Sequence, residues 1–223
     1  MLKKISLMVL ALPVAHRALS SVYAPQYFNG RAKTSHGILG DPINLAFLNG
    51  TKDELSDAME QAAWVKAKPV TMKSSIKTVT STVLKQSYPD APVSPLEVFG
   101  RQQDMAFQQE IDGDPTKRHH VRFWKCPDGW KLPGGIETQW LASGTCDVGI
   151  GLSWFTLGVT HRIAPEVDKE RDHIIKTLKD AGLIAKQDII YNYLPPYKDT
   201  NGGGDKIVTD GHLPLLTLKV SEH

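Results

Sequence analysis

The sequence predicts an α+β domain in which a mostly antiparallel sheet carries two to three flanking helices. Stretches of alternating apolar and polar residues are grouped in the middle and near the end of the chain, as expected for strands. Segments with helical spacing of apolar residues lie before and after the central group. A length of 223 residues, 41% of them hydrophobic, is sufficient for one core, so a single domain with an appendage is expected.

The N-terminal segment 1–21 has the pattern of a targeting signal. Lys3 and Lys4 precede an uncharged, mostly apolar run over 5–15, and the small residues of "ALS" at 18–20 suit signal-peptidase cleavage. The run is shorter than the about 20 apolar residues that span a bilayer. We therefore expect a signal peptide or a short membrane anchor, and an exported or membrane-anchored protein of the cell envelope. An ordinary buried helix is the remaining alternative, and Pro13 argues against it.

The first half of the chain predicts a linker followed by a strand and a helix. Residues 22–40 are expected to form a loop-like linker, and residues 41–223 a single globular domain. "INLAFLNG" predicts a short strand, and Thr51 with Glu54 makes a capping box that starts a helix. In "MKSSIKTVTSTVLKQS", helix and strand remain competing predictions, and the prolines of "YPDAPVSPLEVFG" predict an extended loop.

The second half of the chain predicts most of the sheet. "DMAFQQEI" and "HHVRFWKC" flank the turn-rich "DGDPTKR" and predict a hairpin, which "IETQWLAS" and "CDVGIGL" extend by two further strands. Pro165 opens an amphipathic helix from about Ala164 to Ala181, with Gly182 just past its end. "QDIIYNY" and "LPLLTLKV" predict two late strands.

Composition and motifs argue against several classes of function. A net charge of +2 and the lack of a Lys/Arg run give no footprint for nucleic acid. The chain has no nucleophile elbow, P-loop, dinucleotide fingerprint, zincin motif or C-x-x-C pair. We expect no cofactor and no metal, and the one metal set left open is His120 with His161 and an aspartate. Cys126 and Cys146 fall at opposite ends of the predicted sheet, which disfavours a disulfide.

The stretch "RHHVRFW" supplies the first candidate functional residues. Because side chains alternate across a strand, His120, Arg122 and Trp124 share one face. His119 lies on the other face, the expected core face, together with the apolar residues 121 and 123. The two adjacent histidines therefore cannot both bind one metal ion from a regular strand.

A second strand, "CDVGIGL", offers a face made of Asp147, Gly149 and Gly151. Glycines on one strand face indicate close approach of backbone, a bulky side chain or a ligand. If this face and that of His120 belong to one side of the sheet, they form a polar concavity. The alternatives are a structural histidine, a structural pair between Arg122 and Asp147, and glycines that only accommodate a tryptophan.

The predicted helix adds a buried cation. Arg171 falls in the apolar stripe of the helix, so it needs an acidic partner, for which Asp168, Asp172 and Asp147 are the candidates. A structural role for Arg171 is favoured over ligand binding. Upstream, His161 and Arg162 precede the helix N-terminus, where Arg162 and the free N–H groups would suit an anion.

Six segments together resemble the LssY C-terminal domain family, over about Asp41 to Tyr193. The segments are "DPINLAFLNG", "AAWVKA", "YPDAPVSPLEVFGRQQDMAFQ", "RHHVRFW", "GTCDVGIGL" and "THRIAPEVDKERD". The family takes its name from a protein of a bacterial secretion locus. Its domain is often fused to membrane-embedded type 2 phosphatidic acid phosphatase domains, and sometimes to DedA-like membrane domains.

The resemblance implies a place at the cell envelope, near lipid or lipid-linked phosphate chemistry. The phosphatase motifs belong to the fusion partners, so the resemblance does not imply phosphatase activity for this chain. The resemblance identifies positions that match the family's motifs, but it assigns no role to any of them. These positions are Arg101, Asp104, His119, His120, Arg122, Asp147, His161, Asp168, Arg171 and Asp172.

Three functional hypotheses follow. The first is an envelope-associated hydrolase acting on a phosphate- or carboxylate-bearing, possibly lipid-linked, substrate. The second is a non-catalytic module that binds an anionic lipid headgroup or a cell-wall polymer. The third is a structural partner of a membrane protein. The candidate catalytic residues are His120, His161 and Asp147, the candidate anion-binding residues are Arg122, Trp124, Arg162 and Arg101, and the expected structural polar network is Arg171, Asp168, Asp172 and Asp104.

Overall fold

The computed structural model describes residues 30–35, 37–68, 93–152 and 159–219, and the side chains of residue 115 and of 150–161 are not part of that description. The predictions for the segment 1–21 and for "MKSSIKTVTSTVLKQS" lie outside the described residues. Sixteen strands and two helices follow one another along the described chain. They are β1 Arg31–Lys33, β2 Leu39–Pro42, β3 Leu45–Phe47, α1 Lys52–Gln61, β4 Val65–Lys66, β5 Glu97–Val98, β6 Arg101–Gln102, β7 Met105–Ile111, β8 Asp114–Lys125, β9 Lys131–Leu132, β10 Ile136–Glu137, β11 Trp140–Leu152, β12 Val159–Ile163, α2 Val167–Asp180, β13 Ile184–Ile190, β14 Tyr197–Thr200, β15 Lys206–Thr209 and β16 Leu213–Leu218.

One eight-stranded sheet organises the domain. Its spatial order is β13, β16, β3, β11, β8, β7 and β4, and β12 also pairs with β11. The pairings within it are antiparallel except for β16 with β3. The described chain is therefore mostly antiparallel β-structure with two helices, more strongly β than the α+β class that we predicted.

A smaller, four-stranded sheet covers one face of the main sheet. Its order is β2, β1, β5 and β6. Parts of the segment predicted as a linker thus form strands, and Ala32 within it is fully buried. Strands this short carry too little alternation to be recognised in a sequence, so we missed them. The pairs β9 with β10 and β14 with β15 form two separate hairpins.

The two helices confirm the predicted caps and stripes. Thr51 and Glu54 form the capping box at the start of α1, and Leu55, Ala58 and Met59 are its buried apolar residues. In α2, Val167, Arg171, Ile174 and Leu178 are buried, as the stripe predicted. Gly182 follows α2 with a φ of 73°, which glycine adopts without steric cost.

Each face of the main sheet has its own core. On one face, both helices pack against Phe47, Phe107, Phe123 and Trp140 in a continuous cluster. On the other, Trp124 and Leu141 pack with Leu96 and Val98 beneath the smaller sheet. The sheet is buried on both sides, which explains why many of its polar side chains are buried with it.

Strand β11 is longer than the sequence predicted. "IETQWLAS" and "CDVGIGL" were expected as two strands, whereas 140–152 form one strand of 13 residues. It pairs first with β3, up to Ala142, and then with β12, from Asp147 onward. Between these partners, the buried Asn44 side chain donates to the carbonyl of Gly144 (3.0 Å) and accepts from its N–H (2.9 Å). The amide thus replaces a neighbouring strand, so β11 continues without a break.

Helix α2 packs tightly against the sheet at Gly144. A Cβ atom at this position would lie 2.4 Å from Cδ1 of Ile174, which is fully buried and has little room to move. Gly144 is therefore required by packing. A Cβ at Gly149, farther along the same strand, would meet no atom within 4 Å.

We predict that Gly144→Ala destabilises the domain by about 1–2 kcal/mol through overpacking against Ile174. Ile174→Val removes the clashing methyl group and costs about 0.5–1.5 kcal/mol alone. Urea unfolding should show that the double variant is more stable than the sum of the two single losses implies. Gly149→Ala is the control, with an expected change within about 0.5 kcal/mol. Strictly additive losses would contradict the proposed contact.

Candidate functional site

Strand β8 sends its side chains to two separate environments, as its alternation predicted. Val121 and Phe123 lie in the core on the helix side of the sheet, whereas Trp124 lies in the core on the opposite side. His119 contacts helix α2, and His120 contacts Asp147 of β11. The adjacent histidines therefore belong to two different polar groups on opposite faces.

His120 and Asp147 form a buried dyad. The Nε2 atom of His120 lies 2.7 Å from Oδ2 of Asp147, and the two residues are only 6% and 7% exposed. Because an ionised carboxylate only accepts hydrogen bonds, Nε2 carries a proton, and in the neutral imidazole Nδ1 then presents a lone pair. Among the described residues, the buried Nδ1 atom has no hydrogen-bond partner. The dyad thus offers an oriented imidazole with a free acceptor atom.

Arg122 is on the same face as the dyad but is bound to different groups. Its Nη1 atom donates to Asp41 at 3.0 Å and its Nε atom to the carbonyl of Ser94 at 3.1 Å. A structural pair between Arg122 and Asp147 was one alternative to anion binding, and the structure gives Arg122 the carboxylate of Asp41 instead. Trp124 is fully buried and donates to the carbonyl of Leu96, so its ring has no surface to offer a ligand.

Arg162 is the more accessible arginine near the dyad. Its side chain is 51% exposed, and its Nε atom lies 3.0 Å from Oδ1 of the buried Asp205. Burial raises the pKa of Asp205. Its Oδ2 atom accepts from the N–H of Ile163 at 3.4 Å, and Ile163 is the β12 partner of Asp147, so the pair of Arg162 and Asp205 lies next to the β11 position that carries the dyad. The backbone of His161 pairs with Ile150 in β12, whereas its side chain lies outside the described part of the structure.

The predicted glycine face of β11 differs in detail from the expectation. The register with β12 shifts between Asp147 and Gly149, and this irregularity leaves Val148 48% exposed instead of in an apolar face. The space beside Gly149 is open. The side chain that approaches a glycine closely is Ile174, at Gly144, on the opposite face.

Arg101 and Asp104 make a local pair at the edge of the smaller sheet. Arg101 donates to Asp104 at 2.5 Å and also to the carbonyl of Lys125, whose N–H donates to the same Asp104 carboxylate at 2.7 Å. The pair ties the end of β8 to the β6–β7 connection. Arg101 is therefore bound to Asp104 and to the carbonyl of Lys125. Lys125 is at the end of β8, away from His120.

Arg171 is at the centre of the structural network that its position predicted. It donates to Asp168 at 3.2 Å and to Asp172 at 2.9 Å, and both oxygens of Asp210 accept from it at 2.8 and 3.1 Å. Asp168 also accepts from the N–H of Asp210. Two of the three predicted partners are confirmed, and Asp210 takes the place of Asp147. The network fastens α2 to the loop between β15 and β16.

A second group, the helix-face cluster, consists of His119, Cys146 and Glu170. Cys146 is paired directly with His119 across β8 and β11, and Nδ1 of His119 lies 2.6 Å from Oε2 of Glu170. The ring of His173 stacks on that of His119, with 3.9 Å between the ring centroids. Burial raises the pKa of Glu170, and burial together with the nearby Glu170 and Asp147 raises the pKa of Cys146 to about 12.

Both cysteines are free thiols. Cys126 is buried in the core beneath the smaller sheet, whereas Cys146 faces helix α2. The two thiols are therefore on opposite faces of the main sheet, which separates them more firmly than the opposite ends expected from the sequence.

Sequence reasoning missed the acidic partners Asp41, Asp205 and Asp210, and it missed Glu170 and Cys146 as members of a cluster. Asp41 is 81 positions from Arg122 along the chain, and no local pattern links them. The sequence offered one signal: Glu170 lies three residues after Val167, so it falls in the apolar stripe of α2, where the structure buries it.

The fold and these two groups define a class: a largely antiparallel β domain, with two helices on one face and polar side chains buried on both. Within that class, the chain belongs to the LssY C-terminus family, whose model matches residues 22–213. This match confirms the resemblance found in the sequence. Curated proteins and solved structures give no match. Among the residues that the structure describes, no helix is both long and apolar enough to cross a membrane.

We predict that Arg171→Met destabilises the domain by about 2–4 kcal/mol, because it leaves the carboxylates of Asp168 and Asp210 without their cation. The loss stays below that of a fully buried pair since Asp172 and Asp210 keep part of their hydration. Lys176→Met on the same helix breaks only an exposed pair with Asp180, so a change within about 0.5 kcal/mol is expected. Equal effects of the two variants in chemical denaturation would refute the structural role of Arg171.

Proposed function

We propose that this domain is a hydrolase-type enzyme that acts on a phosphate- or carboxylate-bearing substrate, with His120 as its general base and Asp147 as the group that orients it. The observation that carries the proposal is the His120–Asp147 hydrogen bond of 2.7 Å, combined with the lone buried Nδ1 atom on the other side of the ring. An imidazole held by a carboxylate, with no hydrogen-bond partner on its second nitrogen, is the arrangement that general-base catalysis requires.

The chemistry follows from the tautomer. Asp147 holds the proton on Nε2, so Nδ1 accepts a proton from a water molecule as the water oxygen attacks phosphorus or a carbonyl carbon. The imidazolium that results is stabilised by Asp147 and returns its proton to the leaving oxygen. The buried hydroxyl of Ser143, on the same strand face, has no hydrogen-bond partner among the described residues, which supports a polar occupant beside the dyad.

Arg162 is the residue we propose for contact with the substrate anion. Its half-exposed guanidinium keeps donors available beyond its bond to Asp205. Arg122 is bound to Asp41 and to a carbonyl, and both ends of that pair are buried. A substrate anion at Arg122 would have to displace a carboxylate, so we assign Arg122 to holding the site in shape.

We also propose that the protein works at the cell envelope, exported or membrane-anchored. The support is the composition of the segment 1–21, in which two lysines precede a short apolar run, as in signal peptides. The membrane-embedded phosphatase domains to which the family's domain is often fused support lipid-linked phosphate as a substrate class.

The test uses para-nitrophenyl phosphate and para-nitrophenyl butyrate as probes of the two ester classes. His120→Gln and Asp147→Asn are each expected to lower kcat by at least about 100-fold, since the proton acceptor is lost or misoriented. His212→Gln is the matched control, because its ring accepts a bond from the Asn192 N–H on a loop and is not part of the dyad. Release of nitrophenol is followed by absorbance, and circular dichroism verifies folding.

Two results would argue against the enzyme. In the first, the unmodified protein hydrolyses neither ester. In the second, His120→Gln and His212→Gln are equally active. Either result would favour the competing proposal, a non-catalytic module or structural partner in which these side chains form a buried network. The burial of both Arg122 and Asp41 is the observation on its side. Such a module would sediment with vesicles of phosphatidylcholine and phosphatidic acid, but not with phosphatidylcholine alone.

A further inference from the structure

We propose that the helix-face cluster of His119, Cys146 and Glu170 is a binding site for a divalent transition metal ion, with Zn²⁺ as the ion that its ligands fit best. The three possible donor atoms, an imidazole nitrogen, a thiol sulfur and a carboxylate oxygen, all lie within 4.8 Å of one another. The site is on the opposite face of the sheet from the dyad, so it is independent of the proposed hydrolase activity.

The backbone places these donors together. Cys146 and His119 are directly opposite in the β11–β8 register, and side chains so paired have Cβ atoms about 4.5–5.5 Å apart. Glu170 comes from helix α2, whose close approach depends on Gly144, since the Cγ atom of Glu170 is within 3.4 Å of where a Cβ would be. Two rigid strands and a packed helix therefore hold the three ligands.

A vacant carboxylate oxygen is the second, independent observation. The side chain of Glu170 is 2% exposed, and only its Oε2 atom has a hydrogen bond, to His119. Its Oε1 atom has no partner among the described residues. A buried carboxylate oxygen without a donor is costly, and a bound cation would satisfy it.

The thiol supports the same interpretation. Cys146 makes one weak contact of its own, from Sγ to the carbonyl of Asp147 at 3.6 Å. Metal binding displaces the thiol proton to solvent and gives a thiolate ligand. The positive ion then offsets the repulsion between this thiolate and the Glu170 carboxylate.

The donor set selects the type of metal. Mg²⁺ and Ca²⁺ prefer oxygen ligands, whereas nitrogen and thiolate sulfur with one carboxylate suit Zn²⁺ and its spectroscopic substitute Co²⁺. Three protein ligands leave a fourth tetrahedral position for water or another small ligand. The side chain of His119 is 21% exposed, which gives the ion a path from solvent. The stacked ring of His173 restricts the rotation of His119.

Cobalt spectroscopy on the full chain tests the site. After treatment with a chelator, the protein is titrated with Co²⁺, and binding of one ion should produce visible d–d bands of tetrahedral cobalt and a near-ultraviolet thiolate-to-cobalt charge-transfer band. Zn²⁺ should then remove both features by competition. If saturating Co²⁺ gives no charge-transfer band, the proposed site is wrong.

The variants identify the ligands. Cys146→Ser should abolish the charge-transfer band, and Glu170→Gln and His119→Gln should each weaken Co²⁺ binding by at least about 10-fold. Cys126→Ser is the matched control, because it removes the other thiol, on the far face of the sheet, and should leave the spectrum unchanged. A band that survives Cys146→Ser, or disappears with Cys126→Ser, refutes the assignment.

A measurement on the unsubstituted protein covers the case in which a variant does not fold. Iodoacetamide labelling followed by peptide mass analysis reports each cysteine separately. With labelling at alkaline pH, where a larger fraction of the Cys146 thiol is ionised, Zn²⁺ should slow its labelling by at least about 10-fold, because a coordinated thiolate is no longer free to react, and should leave Cys126 unaffected. Equal labelling of Cys146 with and without Zn²⁺ overturns the proposal. His120→Gln, which affects only the dyad, should bind Co²⁺ like the unmodified protein.

Discussion

The pairing of β8 with β11 is the constraint on which the rest of the structure depends. Eight consecutive residue pairs, from Trp140 with Lys125 to Asp147 with Arg118, join the two strands. Because side chains alternate, this register places Cys146 beside His119 on the helix face, and it brings Asp147 within reach of His120 on the other. Both polar groups therefore arise from one hydrogen-bonded ladder, and a packed helix completes the group on the helix face.

Two adjacent residues of helix α2 make different contacts: one joins the helix-face cluster and the other anchors the helix. Glu170 points toward the sheet and reaches His119, and Arg171 reaches Asp210 at the loop between β15 and β16. The helix is thus fixed at its end by ion pairs and at its middle by the fit of Ile174 over Gly144. Fixing a helix at two points determines its position along the strand, which keeps the Glu170 carboxylate close to Cys146.

The sequence was sufficient for features that depend on local periodicity. The capping box of α1, the buried stripe of α2, the two faces of β8 and two partners of Arg171 all follow from spacings of a few residues. Contacts between distant segments were not predictable in the same way. Arg122 of the main sheet meets Asp41 of the smaller sheet, whose strands of two to four residues are too short to show alternation in the sequence. Cys146 and His119 do not have the spacing of a metal motif, and only the register brings them together.

The doubled histidine has a consequence for how the central strand finds its partner. A shift of β8 by one residue would exchange its two faces, yet it would still present one histidine to each, so the histidines themselves do not select the register. The residues that follow them do, because the same shift would move the guanidinium of Arg122 into the core beneath the helices and Phe123 onto the face that carries the dyad. The alternation of Arg122 with the apolar residues Val121 and Phe123 thus fixes the register of β8, and this register gives the two histidines their different environments.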